Sequence, residues 1–151
     1  MVNEVEREVQ VLQHYLNEYG QQIEVLSQQL QMIEHGRAEA AAAVEALAAL
    51  AESPDGTILL PVGGGASLRV KVLDVDRVLL NLGAEVVVER QNAEAREFLK
   101  DRMTEMEASA KRIAETLGKV QGQANEVAQR LDQIYRMVQQ QQGQAPAART
   151  G

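Results

Sequence analysis

Residues 57–90 decide the fold: Thr57-Ile58-Leu59-Leu60-Pro61-Val62, Ser67-Leu68-Arg69-Val70-Lys71-Val72, Arg77-Val78-Leu79-Leu80-Asn81-Leu82 and Glu85-Val86-Val87-Val88-Glu89 follow one another closely. Each run is short and rich in β-branched and aliphatic residues. Each is set off from the next by Gly63-Gly64-Gly65, Asp74-Val75-Asp76 or Gly83-Ala84, which favour turns. Alternation of Leu68, Val70 and Val72 is the period of a strand with one covered face, and the run Val86–Val88 predicts burial on both faces. Two β-hairpins within residues 53–90 make a sheet whose edges stay open unless paired or covered. The expectation is an assembly element that works through Ile58, Leu60, Val62, Leu68, Val70 and Val72 in the first hairpin and Val78, Leu80, Leu82, Val86 and Val88 in the second.

On both sides of this stretch the period changes. From Val2 to Ala51 apolar residues fall on a 3-4 spacing (Val2, Val5, Val9, Leu12, Leu16, Tyr19, Ile23, Leu26, Leu30, Ile33, then Ala40, Val44, Leu47 and Ala51), with Arg37 as the one break. That narrow seam, sustained over heptads with Glu and Gln between, specifies a coiled-coil helix over residues 1–52. Ser53-Pro54-Asp55-Gly56 ends it, because Pro54 disfavours the helical conformation at Ser53. A second run, Leu99, Met103, Met106, Ala110, Ile113, Leu117, Val120, Ala124, Val127, Leu131, Ile134 and Val138, predicts a helix over residues 91–138 with Asn92 as its N-cap. Past Val138 come Gln139-Gln140-Gln141-Gln142 and a Gly- and Pro-containing end, so residues 139–151 are expected to be a disordered Gln-rich tail.

Charge selects the pairing. Residues 1–52 hold nine acidic and two basic side chains, whereas residues 91–151 hold eight and nine. A parallel dimer of the first helix would oppose two acidic flanks, while folding the second helix back onto the first opposes unlike or weak charge. The expected fold is therefore mainly α with a small β element: a long antiparallel two-helix coiled coil joined by two β-hairpins. Paired residue numbers sum to about 143, as in Val9 with Ile134, when seam positions face one another. Both chain ends then meet at one tip with the hairpins at the other. The apolar residues Met1, Val2, Val5 and Val9 of the first helix and Leu131, Ile134, Met137 and Val138 of the second converge there without a third layer. Aliphatic and Met side chains that can re-pack suit promiscuous hydrophobic binding.

Composition narrows the function. The 151 residues include one Phe, three Tyr and no Trp, too few rings for an ordinary compact core of that size, and 25% are charged. Without cysteine there is neither a disulfide framework nor thiolate chemistry, which fits a reducing cytoplasm. A net charge of −7 disfavours nucleic acid and anionic membrane surfaces as partners, and no segment is apolar enough for a signal core or a bilayer span. His14 and His35 sit on the outer helix face without further ligands, so no metal site is expected. Gly63-Gly64-Gly65 lacks the Lys and Ser or Thr of a phosphate loop and leads into a strand. Catalytic residues and cofactors are expected to be absent. Arg37 in the seam is read as a residue that fixes register.

The order helix, two hairpins, helix resembles the prefoldin family, and within it the archaeal-type alpha class. The resemblance is carried by Ile58-Leu59-Leu60-Pro61-Val62-Gly63-Gly64-Gly65, by Val78-Leu79-Leu80-Asn81-Leu82-Gly83-Ala84-Glu85-Val86-Val87-Val88-Glu89-Arg90 and by Ala95-Arg96-Glu97-Phe98-Leu99-Lys100. It covers about residues 5–138. Three consecutive glycines, and Asn81 where a small residue is frequent, are its departures. The resemblance implies a hexamer of two alpha-class and four beta-class subunits joined by β-barrels that the hairpins build. It also implies ATP-independent capture of unfolded polypeptides between arm tips and delivery to a group II chaperonin. The competing expectation is a structural coiled-coil adaptor that oligomerises through its hairpins and binds no client.

Overall fold

The structure, a computed structural model, describes residues 2–144. Met1 and residues 145–151, parts of the expected tip and tail, lie outside the described residues. The elements run α1 (Val2–Glu52), β1 (Thr57–Gly63), β2 (Ala66–Lys71), β3 (Val78–Gly83), β4 (Val86–Arg90) and α2 (Asn92–Gln144). The chain divides into two compact units, one of residues 32–110 and one of residues 1–31 with 111–151.

In the unit of residues 32–110 the first helix closes with the Ser53 N–H donating to the Leu50 carbonyl at 3.1 Å. Gly56 then turns the chain with φ +72°, buried so closely that a Cβ there would stand 3.2 Å from the Val72 carbonyl oxygen. Only glycine accepts both conditions. The Asp55 carboxylate accepts the Thr57 N–H at 3.1 Å and starts β1. β1 and β2 pair antiparallel with Ile58 opposite Val70 and Leu60 opposite Leu68; β3 and β4 pair antiparallel with Leu80 opposite Val88. They form two separate two-stranded sheets.

The two hairpins share one turn design. Each register shifts by one residue before the turn, between Pro61 and Gly63 and between Asn81 and Gly83, and each turn has two residues with positive φ. In the first these are Gly64 and Gly65, at 60° and 80°; in the second they are Ala84 and Glu85, at 51° and 64°. Such turns match the right-handed twist of a hairpin but strain any residue with a Cβ. The second turn therefore lies one residue later than the Gly83-Ala84 expected. Gly83 serves the bulge, where its N–H donates to the Asn81 side-chain oxygen at 2.9 Å.

Asn92 is not the N-cap of α2. It is the first helical residue, 3% exposed, and its side-chain amide donates to the carbonyls of Leu47 in α1 and Val75 between the hairpins, both at 3.1 Å. Its side-chain oxygen accepts from Arg96 Nε at 2.9 Å. The helix start is satisfied instead by Asp76, whose carboxylate accepts the Asn92 backbone N–H at 3.2 Å. Asp76 thus does the capping from a non-local position.

Seam contacts within each unit run antiparallel. In residues 32–110 Gly36 faces the Met106 side chain, 3.4 Å from where a Cβ would lie, and Leu47 faces Asn92. In the other unit Val5 and Val9 share a groove with Ile134 and Val138, while Leu26 shares one with Val120. Val9 with Ile134 is the expected register. All twelve seam positions of α2 are buried or half-buried. The Gln-rich segment corrects the sequence reading: α2 continues through Gln144, since glutamine is a good helix former and needs no burial to extend an existing helix.

Candidate functional site

Besides Val11, Tyr15, Val25 and Met32, which are exposed along α1, two sets of side chains have apolar surface to offer. The first is on the hairpins. Leu59, Leu60, Val62 and Leu68 are exposed in β1 and β2, as are Leu79, Leu82, Val86 and Val87 in β3 and β4. Of the residues expected to assemble, Ile58, Val70, Val78 and Val88 are half-buried and Leu80 is buried; Val72 lies just past the end of β2. Leu80 borders recesses whose walls include Leu47, Phe98 and Leu99, so one face of the second hairpin rests on the helices. Burial of the Val86–Val88 run on both faces is not found: only Val88 is half-covered, because nothing lies over the opposite face. Every strand has one unpaired edge, as each sheet holds two strands. Open edges combined with exposed aliphatic side chains on both faces are what an intersubunit sheet requires.

The second set lies where Val5 and Val9 meet Ile134 and Val138. The structure sorts these residues by role. Leu131 and Ile134, 6% and 4% exposed, belong to the closed seam and offer little surface to a partner. Val9 and Val138 are half-buried, whereas Val5 and Met137 are open, at 40% and 54%. Tyr135, absent from the sequence expectation because it falls beside the seam, is exposed and lines the groove with Val5, Val9, Ile134 and Val138. Its hydroxyl accepts from Gln13 Nε2 at 3.1 Å. Its position next to Ile134 was the signal available in the sequence. Polar side chains brace the flank: Arg130 Nε meets Glu8 Oε1 at 2.9 Å. That exposed pair sets helix alignment and contributes less than about 1 kcal/mol.

The remaining polar candidates are engaged locally. His14 and His35 reach Glu18 and Glu39 one turn on, at 3.2 and 3.1 Å, on the exposed side of α1. Arg37 binds Glu34 at 3.0 Å and reaches across to Glu107 at 3.7 Å, a cross-helix contact beside the close Gly36–Met106 approach. Among the described residues no group of three or more His, Asp or Glu side chains could hold a metal ion, and no helix is long and apolar enough to cross a membrane.

The profile of the prefoldin subunit family matches residues 2–137. The chain belongs to the prefoldin family. It is 58% identical over 131 residues to the prefoldin subunit alpha of Methanoregula boonei, covering 87% of this chain and 86% of that one. It is 57% identical over 136 residues to the prefoldin subunit alpha of Methanoculleus marisnigri, with 90% and 91% covered. Among solved structures, a filamentous PFD from Methanocaldococcus jannaschii determined by cryo-electron microscopy superposes with a TM-score of 0.63 at 21% identity, covering 76% of this chain and 96% of that chain. That likeness concerns the fold: two long helices joined through two hairpins. The function that follows is that of a prefoldin chaperone, a family that works by binding and without catalysis.

Proposed function

We propose that this chain is the alpha-class subunit of a cytoplasmic, ATP-independent holdase hexamer, two alpha with four beta, which passes unfolded clients to a group II chaperonin. Its hairpins join β-barrels with those of beta-class partners, and it takes no catalytic, metal or nucleotide role. Eight exposed aliphatic side chains on two open-edged hairpins support the assembly part. Client capture is assigned to the helix ends at Met1, Val2, Val5, Val9, Met137 and Val138, with Tyr135 added and with Leu131 and Ile134 as the packed floor. The observation that carries this is the open groove of Val5, Tyr135 and Val138, with Met137 exposed on the same turn of α2: apolar surface that a purely structural adaptor has no use for. Weak, re-packable contacts of about 1–3 kcal/mol per buried side chain suit a partner without fixed sequence.

The test compares intact hexamer with one lacking residues 1–5 and 137–151, following aggregation of an unfolded client by light scattering. Protection should fall sharply at unchanged native mass, while removal of residues 139–151 alone should change little. Full protection by the doubly truncated hexamer would move the client site elsewhere.

A further inference from the structure

We propose that the groove of Val5, Tyr135 and Val138 continues along one flank of the paired helices as an uncharged track, whose Gln and Asn side chains bind the peptide backbone of an extended client. The inference rests on the reading of that groove as the place of capture and adds the chemistry that holds a chain of any sequence beyond it. All of the track lies within the unit of residues 1–31 and 111–151.

The track starts at the polar margin of the groove. Gln10 lines the groove beside Val9 and Tyr135, and Gln13 donates to the Tyr135 hydroxyl at 3.1 Å. At the 3-4 spacing that keeps to one helix flank, α1 next presents Asn17 and Gly20. Counting back from Tyr135 at the same spacing, α2 passes Asp132, which Arg136 neutralises at 3.1 Å. It then presents Ala128, Asn125, Gln121 and Gly118. Gln10, Asn17, Gln121 and Asn125 are exposed and make no side-chain hydrogen bond among the described residues.

Charge is kept off this flank. Over residues 9–23 and 114–131 the charged side chains are Glu18, Glu115, Lys119, Glu126 and Arg130, and none falls at a track position. Arg130 marks the opposite flank, where it meets Glu8. The two glycines fit the same picture. A Cβ at Gly20 or Gly118 would meet nothing within 4 Å, so no close neighbour requires either residue, and each weakens its helix relative to alanine. Between amide side chains a missing Cβ lets another backbone come close.

The chemistry selects the occupant. A carboxamide donates and accepts as a peptide group does, and it carries no charge to discriminate among client side chains. Gln13 with Asn17, and Gln121 with Asn125, are each separated by four residues, a rise of about 6 Å. In an extended chain alternate residues, about 6.6 Å apart, turn their N–H and C=O groups to the same side. The two periods agree over a short segment, so an extended client can bond successive amides. A helical one cannot, because its peptide groups are already paired.

The test titrates the full-length chain into a short fluorescein-labelled peptide of alternating Leu and Ser, read by anisotropy. The combined variant Asn17→Leu, Gln121→Met and Asn125→Leu removes the amides and adds apolar surface. It should bind about tenfold more weakly, the loss of a few modest hydrogen bonds, whereas Gln22→Met with Gln123→Met on the opposite flank should not. A peptide N-methylated at alternate residues should lose affinity for the unaltered chain and none for the triple variant. Equal or tighter binding by the triple variant, or the same loss on N-methylation with both proteins, would overturn the proposal. Val5→Ser with Tyr135→Ser tests the underlying reading separately: unchanged affinity in that pair would show that the groove is not the place of capture, whatever the triple variant does.

Discussion

Asn92 holds three segments with one side chain. Its amide donates to a carbonyl near the end of α1 and to another between the hairpins, while its oxygen receives Arg96 at the start of α2. Being 3% exposed, it leaves no path for water to replace those bonds. Asn92→Ala should therefore cost about 2–3 kcal/mol, because two carbonyls and a guanidinium lose a partner in a covered site. Urea unfolding of the isolated chain measures this. Asn92→Asp should do no better, since it faces the same two carbonyls with acceptors. Asparagine before Ala-rich helical sequence reads as a cap, and that is why its role was not legible: both carbonyls it binds are distant in sequence, and the true capping carboxylate, Asp76, lies sixteen residues earlier. Gly36 was passed over for the same reason, as its value depends on Met106 across the seam.

At the scale of elements, the two helices and the four strands are legible in local periodicity, whereas the extension of α2 through Gln144 is not. The change from a 3-4 spacing to alternation and back marks helix, hairpins and helix, because burying a stripe or a face imposes those periods on any chain. The antiparallel pairing followed from charge, and the register from matching seam positions. Turn geometry was legible only where glycine announces it. Gly64-Gly65 is an evident site for positive φ, whereas Ala84-Glu85 adopts the same turn without a permissive residue. The strain there is local and removable. Ala84→Asn with Glu85→Gly should stabilise the second hairpin by about 1 kcal/mol, the preference of that turn for Asn-Gly, and raise amide-exchange protection in β3 and β4. No gain in protection would mean that neighbouring subunits, absent from the isolated chain, set this turn. Strand burial was the other illegible feature. The Val86–Val88 run has the composition of a doubly covered strand, yet the isolated chain covers only Val88, so its apolarity is not accounted for by this chain's own core and fits the proposed assembly.

For the whole molecule, each unit buries a seam between its helical segments, and the proposed function uses the apolar surface that the seams leave open. Burial is spread along two helices with few completely enclosed side chains, and the apolar surface left over lies on the hairpins, at the groove of Val5, Tyr135 and Val138, and at Val11, Tyr15, Val25 and Met32 along α1. The net charge of −7 opposes non-specific association through that surface. In the proposed reading assembly and capture use different residues, so removing one should spare the other. The most direct measurement replaces Tyr135 or Met137 with a photo-crosslinking amino acid in the assembled hexamer, adds an unfolded client, and compares adduct yield with the same probe at exposed Lys119. The account predicts strong client adducts from positions 135 and 137 and few from 119. Equal yields at all three positions, or adducts from 119 alone, would contradict it.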